Sequence, residues 1–346
     1  MEQETTGPPA RPYRDRHAGL VCFGVLEILL GLMALLGLLS LAFAGAMSRV
    51  AAAPTPGLTG RTLLPSACMY LLAAVFFFWM GIGSMLARRW ARALMLIVSW
   101  FWLVAGVIGA LAVVWMYPAL REHILRTTAG PGNAAGTPEM LAMVLGCTAA
   151  VLGVLYVLLP LAFVLFYRSP HVKATCEARD PHTRWTDRCP LPVLGLSLLL
   201  GGAAIMYLGV AAVYQVLTFL GFLLTGLPAV ALGFALAVLL GVLARATYRL
   251  APWAWWAAVA FWGLGAVSIV VMAVHPFDWQ ELYRQMGFDS AQLEQLGIFW
   301  KNSQILWLSC IGFLPWALYL VWVRRFFFAP VRPVAPATPA GPPRAR

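Results

Sequence analysis

Charge is the scarcest property of this sequence. Asp, Glu, Lys and Arg together make up 11% of its 346 residues, against about 25% in an ordinary soluble domain. Lysine occurs only twice, as Lys173 and Lys301. A soluble fold with so few charges would have to hide nearly all its apolar surface, and even large domains bury only about three quarters of what the unfolded chain exposes. The sequence also lacks HExxH, GxSxG and Walker A motifs, which excludes recognisable zinc-protease, serine-hydrolase and P-loop chemistry. No histidine and no pair of carboxylates lies in the middle of an apolar run, so the acid–base couple of an intramembrane hydrolase is missing. The cysteines include no C-x2-C pair. The alternating ten-residue segments of a membrane barrel are absent too.

What is present is apolar length. Apolar residues make up 62% of the chain, and a helix needs ~20 of them in a row to cross a hydrocarbon core of ~30 Å. Such runs occupy 19–46, 63–87, 93–117, 139–167, 252–275 and 302–328. The stretch 191–244 holds 54 residues without a charge, enough for two spans joined by a tight turn expected between Gly221 and Pro228. The reading is all-α: a polytopic helical membrane protein of about eight transmembrane helices.

The net charge of +11 could suggest a nucleic-acid partner, but its distribution points to a membrane. With the N-terminus inside, 18 of the 24 Lys and Arg residues fall on inner segments, while acids divide evenly between the two faces. That is the positive-inside bias. It predicts a multi-pass protein of the cell (inner) membrane with both termini cytoplasmic, anionic lipids as the counter-charge and no nucleic acid. The apolar run before "AFAGA", around Ala42, is too long for a signal peptide, so the first helix is expected to remain.

The chain also reads as two tandem copies of a four-helix unit. Tyr13-x-Asp15-Arg16 precedes span one as Trp185-x-Asp187-Arg188 precedes span five. Leu64-Pro65 matches Leu227-Pro228, Leu86–Arg88 matches Leu243–Arg245, and Trp102 matches Trp262. Pro118 is expected to end span three as Pro276 ends span seven, and "LPLAFVL" from Leu159 matches "LPWALYL" from Leu314. The order of these matches, with shifts of 155–172 residues, carries more weight than any one of them. Four spans per copy is an even number, so the copies should lie parallel. The expected organisation is a cytoplasmic tail (1–18), a first repeat (19–167), a basic cytoplasmic linker (168–190), a second repeat (191–328) and a Pro-rich disordered tail (329–346). Outer-loop segments at 118–127 and around Trp279, Leu282 and Met286 are expected to be short amphipathic helices, with Asp289 capping a second turn.

Glu27 is the one charged residue deep in a span, and intramembrane carboxylates are functional-site candidates by default. Counting about 13 Å inward at 1.5 Å per residue puts it level with Ser99, Trp100 and Trp102, with Gly81, Gly83 and Pro160 nearby. Desolvation disfavours its charged form, so a protonated, hydrogen-bonded carboxyl is expected. Pro160 should free the carbonyl of Tyr156. The second copy has Leu198 near the equivalent position. His171, Cys176, His182 and Cys189 crowd the linker, yet their spacing fits no zinc pattern, so neither a metal nor a cofactor is expected. Gly233, Ala237 and Gly241 form small-x3-small steps on span six, suited to internal packing or to a homo-oligomer. The functional expectation is a non-enzymatic membrane protein acting through lipids or a membrane-protein partner in an assembly, sensory or accessory role. The alternative is a transporter or channel for an apolar or lipid-like substrate, proton-linked through Glu27.

Overall fold

A computed structural model describes residues 14–50, 60–128, 138–275, 277–290, 292–293 and 304–328. Residues 1–13 and 329–346 of the expected tails, with Tyr13 among them, and Pro276 lie outside these residues. Eleven helices are named in chain order: α1 (His17–Val50), α2 (Gly60–Met85), α3 (Arg89–Thr128), α4 (Pro138–Gly153), α5 (Leu159–Arg168), α6 (Pro170–Arg179), α7 (Leu191–Tyr214), α8 (Leu227–Tyr248), α9 (Pro252–Val274), α10 (Trp279–Gln285) and α11 (Gln304–Phe328). Seven helical segments among the described residues are long and apolar enough to cross a membrane, α4 and α5 forming one of them together. The eighth expected span, 302–328, corresponds to α11, whose side chains are described from Gly312 onward.

Proline sets many of the helix starts. Pro170, Pro192, Pro228 and Pro252 each stand at the first or second position of their helix, where the missing N–H is no loss and φ is already helical. Two interhelical turns share one geometry. Between α2 and α3, Ala87 takes a φ of +51°, with Ala87 N–H donating to Ser84 and Arg88 N–H to Gly83. Between α8 and α9, Leu250 takes +59°, with Leu250 N–H donating to Thr247 and Ala251 N–H to Ala246. Both are Schellman closures, and they lie 163 residues apart.

Two expectations about helix ends are corrected. Pro118 ends the membrane-spanning stretch, Arg89–Pro118, but not the helix; α3 continues through it to Thr128. The loss of one backbone bond is local, and 119–128 resume a helical path. The link between α7 and α8 is a two-stranded hairpin, Val216–Phe219 with Phe222–Thr225, and not a simple turn between Gly221 and Pro228. Leu220 and Gly221 form its tip with φ of +48° and +81°, the two-residue turn that suits strand twist. Helices of 24 and 22 residues already reach ~33 Å or more, so the surplus of the uncharged run pairs its backbone with itself.

The helices pack in pairs: α1 with α2, α3 with α5, α7 with α8 and α9 with α11. One core gathers Leu20, Met80, Met95, Phe163 and Tyr167; another gathers Val193, Leu200, Leu240, Trp255 and Val323. α1 and α2 come very close where Gly24 meets Gly81, since a Cβ on either would stand under 3 Å from the other's carbonyl oxygen. Gly233 of the small-x3-small face packs on Ala211 of α7, whereas Gly241 faces open space. Ile97 and Phe101 of α3 reach across to the second core.

Candidate functional site

Glu27 is fully buried, and its partners come from the ends of two other helices. The Tyr167 hydroxyl stands 2.6 Å from Oε1 and the Ser84 hydroxyl 3.0 Å from Oε2, while Tyr167 and Ser84 stand 2.8 Å apart. Three short contacts need three protons. An ionised carboxylate brings none, so Ser84 and Tyr167 would spend theirs on it and leave their own contact empty. A protonated Glu27 closes the ring, with each group donating once and accepting once.

The ring lies nearer a helix end than residue counting placed it. Ser84 is the penultimate residue of α2 and Tyr167 of α5. α1 starts below them, where Arg16 N–H donates to the Thr175 hydroxyl of α6 at 3.0 Å. Its first turns therefore pack on the linker, and the depth count began too early. Ser99 is buried but donates to its own helix, to Met95 O at 2.6 Å. Trp102 stacks on Phe163, which stacks on Tyr167, so it meets the ring through aromatic neighbours. Trp100 is 44% exposed and points elsewhere, into a cavity described below.

Just before Pro160 the chain makes a π-turn over Val154–Leu158, with Leu159 N–H donating five residues back to Val154. The Tyr156 carbonyl, which Pro160 cannot serve, abuts Gly106 of α3. A Cβ there would stand 1.8 Å from the Tyr156 oxygen, so only glycine fits.

The linker is folded. Asp180, 1% exposed, accepts from Arg184 Nε and an Arg184 terminal nitrogen at 3.3 and 3.0 Å and from the Arg89 amide at 3.4 Å, and it pairs with Arg88 at 3.7 Å. Burial alone would raise this carboxyl, but the Arg184 hydrogen bonds, the Arg89 amide and the two arginine charges hold it below the usual carboxylate value. Arg179 pairs with Asp15 at 3.2 Å, and the Tyr248 hydroxyl donates to Trp185 O at 2.9 Å. The linker thus clasps α1, the α2–α3 turn and the end of α8. Burial pushes the Cys176 and Cys189 thiols up to about 11. His171 Nδ1 lies 3.3 Å from the Arg14 amide, which donates to it, and His182 is exposed. Among the described residues no three His, Cys, Asp or Glu side chains are grouped to hold a metal ion.

Three cavities lie along one face of α3. The largest, about 730 Å³, is lined by Leu96, Ile97, Trp100 and Phe101 of α3 facing Trp316 and Tyr319 of α11, with Pro192 and Gly195 of α7 at one side and Arg168 at one end. A second, about 440 Å³, is wholly apolar and runs from Leu103 to Leu111 against Leu314 and Pro315. The two share Val104 and Pro315. A third, about 290 Å³, lies under the linker beside Arg89, Arg92 and Lys173, and shares Leu191 with the first. Glu27 lines none of the three.

The groove leaves a signal in the sequence of α3. Positions 89, 92, 93, 96, 97, 100, 101, 104, 107, 108 and 111 follow helical spacing on α3, basic at one end and apolar beyond. No known protein family, curated protein or solved structure matches the chain.

Proposed function

We propose that this chain is a non-enzymatic integral membrane protein that holds a lipid between its two helical halves and acts in an accessory, assembly or sensory role. The observation that carries the reading is the groove along α3. It runs from Leu96 to Leu111, ~22 Å at 1.5 Å per residue, which exceeds one leaflet's ~15 Å share of the hydrocarbon core. Its walls are aromatic and aliphatic, with Arg168 as the charged side chain in the larger cavity. That lining suits an acyl chain, with a single charged side chain, Arg168, at one end for a polar group.

The halves are two tandem, parallel four-helix repeats. The matching Schellman turns support this, since both recur at the 163-residue shift that relates Leu64-Pro65 to Leu227-Pro228. So does the equal pairing order of the helices. The inner-segment charge bias supports a cell (inner) membrane with both termini cytoplasmic. Under that orientation the folded linker and Arg168 lie at the cytoplasmic face, beside anionic headgroups.

A second reading, transport of a lipid-like molecule, draws on the same groove. Proton coupling through Glu27 is disfavoured by the closed ring, whose three groups are engaged with one another, and by Glu27 lining none of the three cavities.

A photoreactive amino acid at Val104, inside the groove, tests the reading against one at Met69, which is 69% exposed on α2. In native membranes, saturable crosslinking of one lipid class at Val104, with indiscriminate labelling at Met69, is the expected result. Equal, indiscriminate labelling at both positions would refute it.

A further inference from the structure

We propose that the pocket under the linker is an anion site for a phosphate group, and specifically for the headgroup phosphate of the lipid in the groove; the second part rests on the reading above. Four buried side-chain polar atoms lack a hydrogen-bond partner among the described residues, and three of them belong to residues that line this one pocket: Arg89 Nε, Arg92 Nε and Thr186 Oγ1. Unpartnered buried polar groups are rare and costly, and here they cluster. Thr186 is 2% exposed, so its hydroxyl is not served from bulk water.

The chemistry of the three atoms selects the ligand. An arginine Nε–H donates and cannot accept, so a metal ion or another cation is excluded. The carboxylates in the wall are already engaged. Glu177 and Asp187 each lie 3.5 Å from a terminal nitrogen of Arg89, which engages both arms of the guanidinium and leaves its Nε–H without a partner. Lys173 pairs with Glu177 at 3.8 Å. Arg92 has no ion pair among the described residues. Three cations therefore share two acids, and the shortfall is one negative charge with several acceptor oxygens. A phosphate ester supplies both, and arginine forks suit it.

Position ties the anion to the lipid. Arg89, Arg92 and Ala93 continue the groove face of α3 by one turn, and Leu191 lines the pocket and the groove alike. A phospholipid with its chain along Leu96–Leu111 would set its phosphate at this end.

The test uses the full-length protein exchanged into neutral phosphatidylcholine nanodiscs. Phosphatidylglycerol or diacylglycerol is then titrated in, and retained lipid is counted by native mass spectrometry after release into mild detergent. The wild type should retain phosphatidylglycerol at least tenfold better than diacylglycerol. Arg92→Gln should bring the two within about threefold, and Arg92→Lys should fall between. Thr186→Val, which keeps the side-chain volume, should weaken phosphatidylglycerol alone and serves if the arginine variant does not fold. Equal retention of both lipids by the wild type, unchanged in Thr186→Val, would overturn the phosphate site and leave the groove reading standing. Phosphorus NMR with inorganic phosphate separates the sources. A bound phosphate signal that is lost in Arg92→Gln, without lipid retention, would support the anion site and overturn its link to a lipid. Neither lipid nor phosphate bound would overturn both parts.

Discussion

The Tyr167 hydroxyl lies 2.6 Å from Glu27 Oε1, across 140 residues of sequence, and with Ser84 it converts the one deep carboxyl of the chain into a closed hydrogen-bonded ring. The ring makes Glu27 a fastener of α1 to α2 and α5. Gln in its place can still donate to Ser84 and accept from Tyr167. Glu27→Gln should therefore remain close to the parent in thermal stability, measured in mild detergent. Glu27→Leu strands two buried hydroxyls and should cost about 1–3 kcal/mol. A Gln variant as damaged as the Leu variant would contradict the ring.

Thr247 holds in the α8–α9 turn the position that Ser84 holds in the α2–α3 turn, 163 residues on and in the same geometry. Unlike Ser84, whose hydroxyl meets Glu27 and Tyr167, Thr247 has its hydroxyl buried without a partner among the described residues. Ser84→Ala should cost about 1 kcal/mol, whereas Thr247→Val should be neutral or up to ~1 kcal/mol stabilising. Parallel unfolding of both variants checks the contrast, and equal losses would contradict it.

Gly106 leaves room for the Tyr156 carbonyl that Pro160 cannot bond. Gly106→Ala would place a methyl carbon 1.8 Å from that oxygen, and α3 and the π-turn would have to part. A loss of about 1–3 kcal/mol is expected, in the range of overpacked cores. Gly109, with open space around its Cβ position, is the control, and Gly109→Ala should lose much less.

The linker clasp should depend on pH through Asp180. Its folded carboxyl is held below its unfolded value, which is about 3.9. Its contribution is therefore complete above that value and is lost as pH falls through the lower, folded one. Asp180→Asn should lower the melting temperature at pH ~6, and the difference from the parent should shrink as pH is taken below about 3. A constant difference from pH ~6 to pH ~2 would exclude the carboxylate's charge as the cause.

Much of this architecture is legible in the residues because lipid imposes simple rules. Apolar run length locates the spans, and Pro at helix starts locates their boundaries. The hairpin after Tyr214 was hidden because an uncharged strand and an uncharged helix look alike by composition. The continuation of α3 past Pro118 was hidden because proline removes only one bond and its neighbours decide whether the helix resumes. Ser84 and Tyr167 escaped notice for a geometric reason. Depth was counted from the first apolar residue of α1, whereas that helix begins against α6, and an error of a turn or two replaces one set of neighbours with another. Asp180 looked like one acid among linker arginines, since its burial comes from tertiary contacts with the α2–α3 turn. Cavities belong to the packing of several helices, so the groove could be suspected only from the long one-faced pattern on α3.

The most direct test of the central claim is an experimental structure of the protein in nanodiscs of native lipid extract. The account predicts elongated density along α3 from Leu96 to Leu111, walled by Trp316 and Tyr319, with its compact end near Arg89 and Arg92. A groove closed by direct packing of α3 on α11, with no density between them, would contradict it.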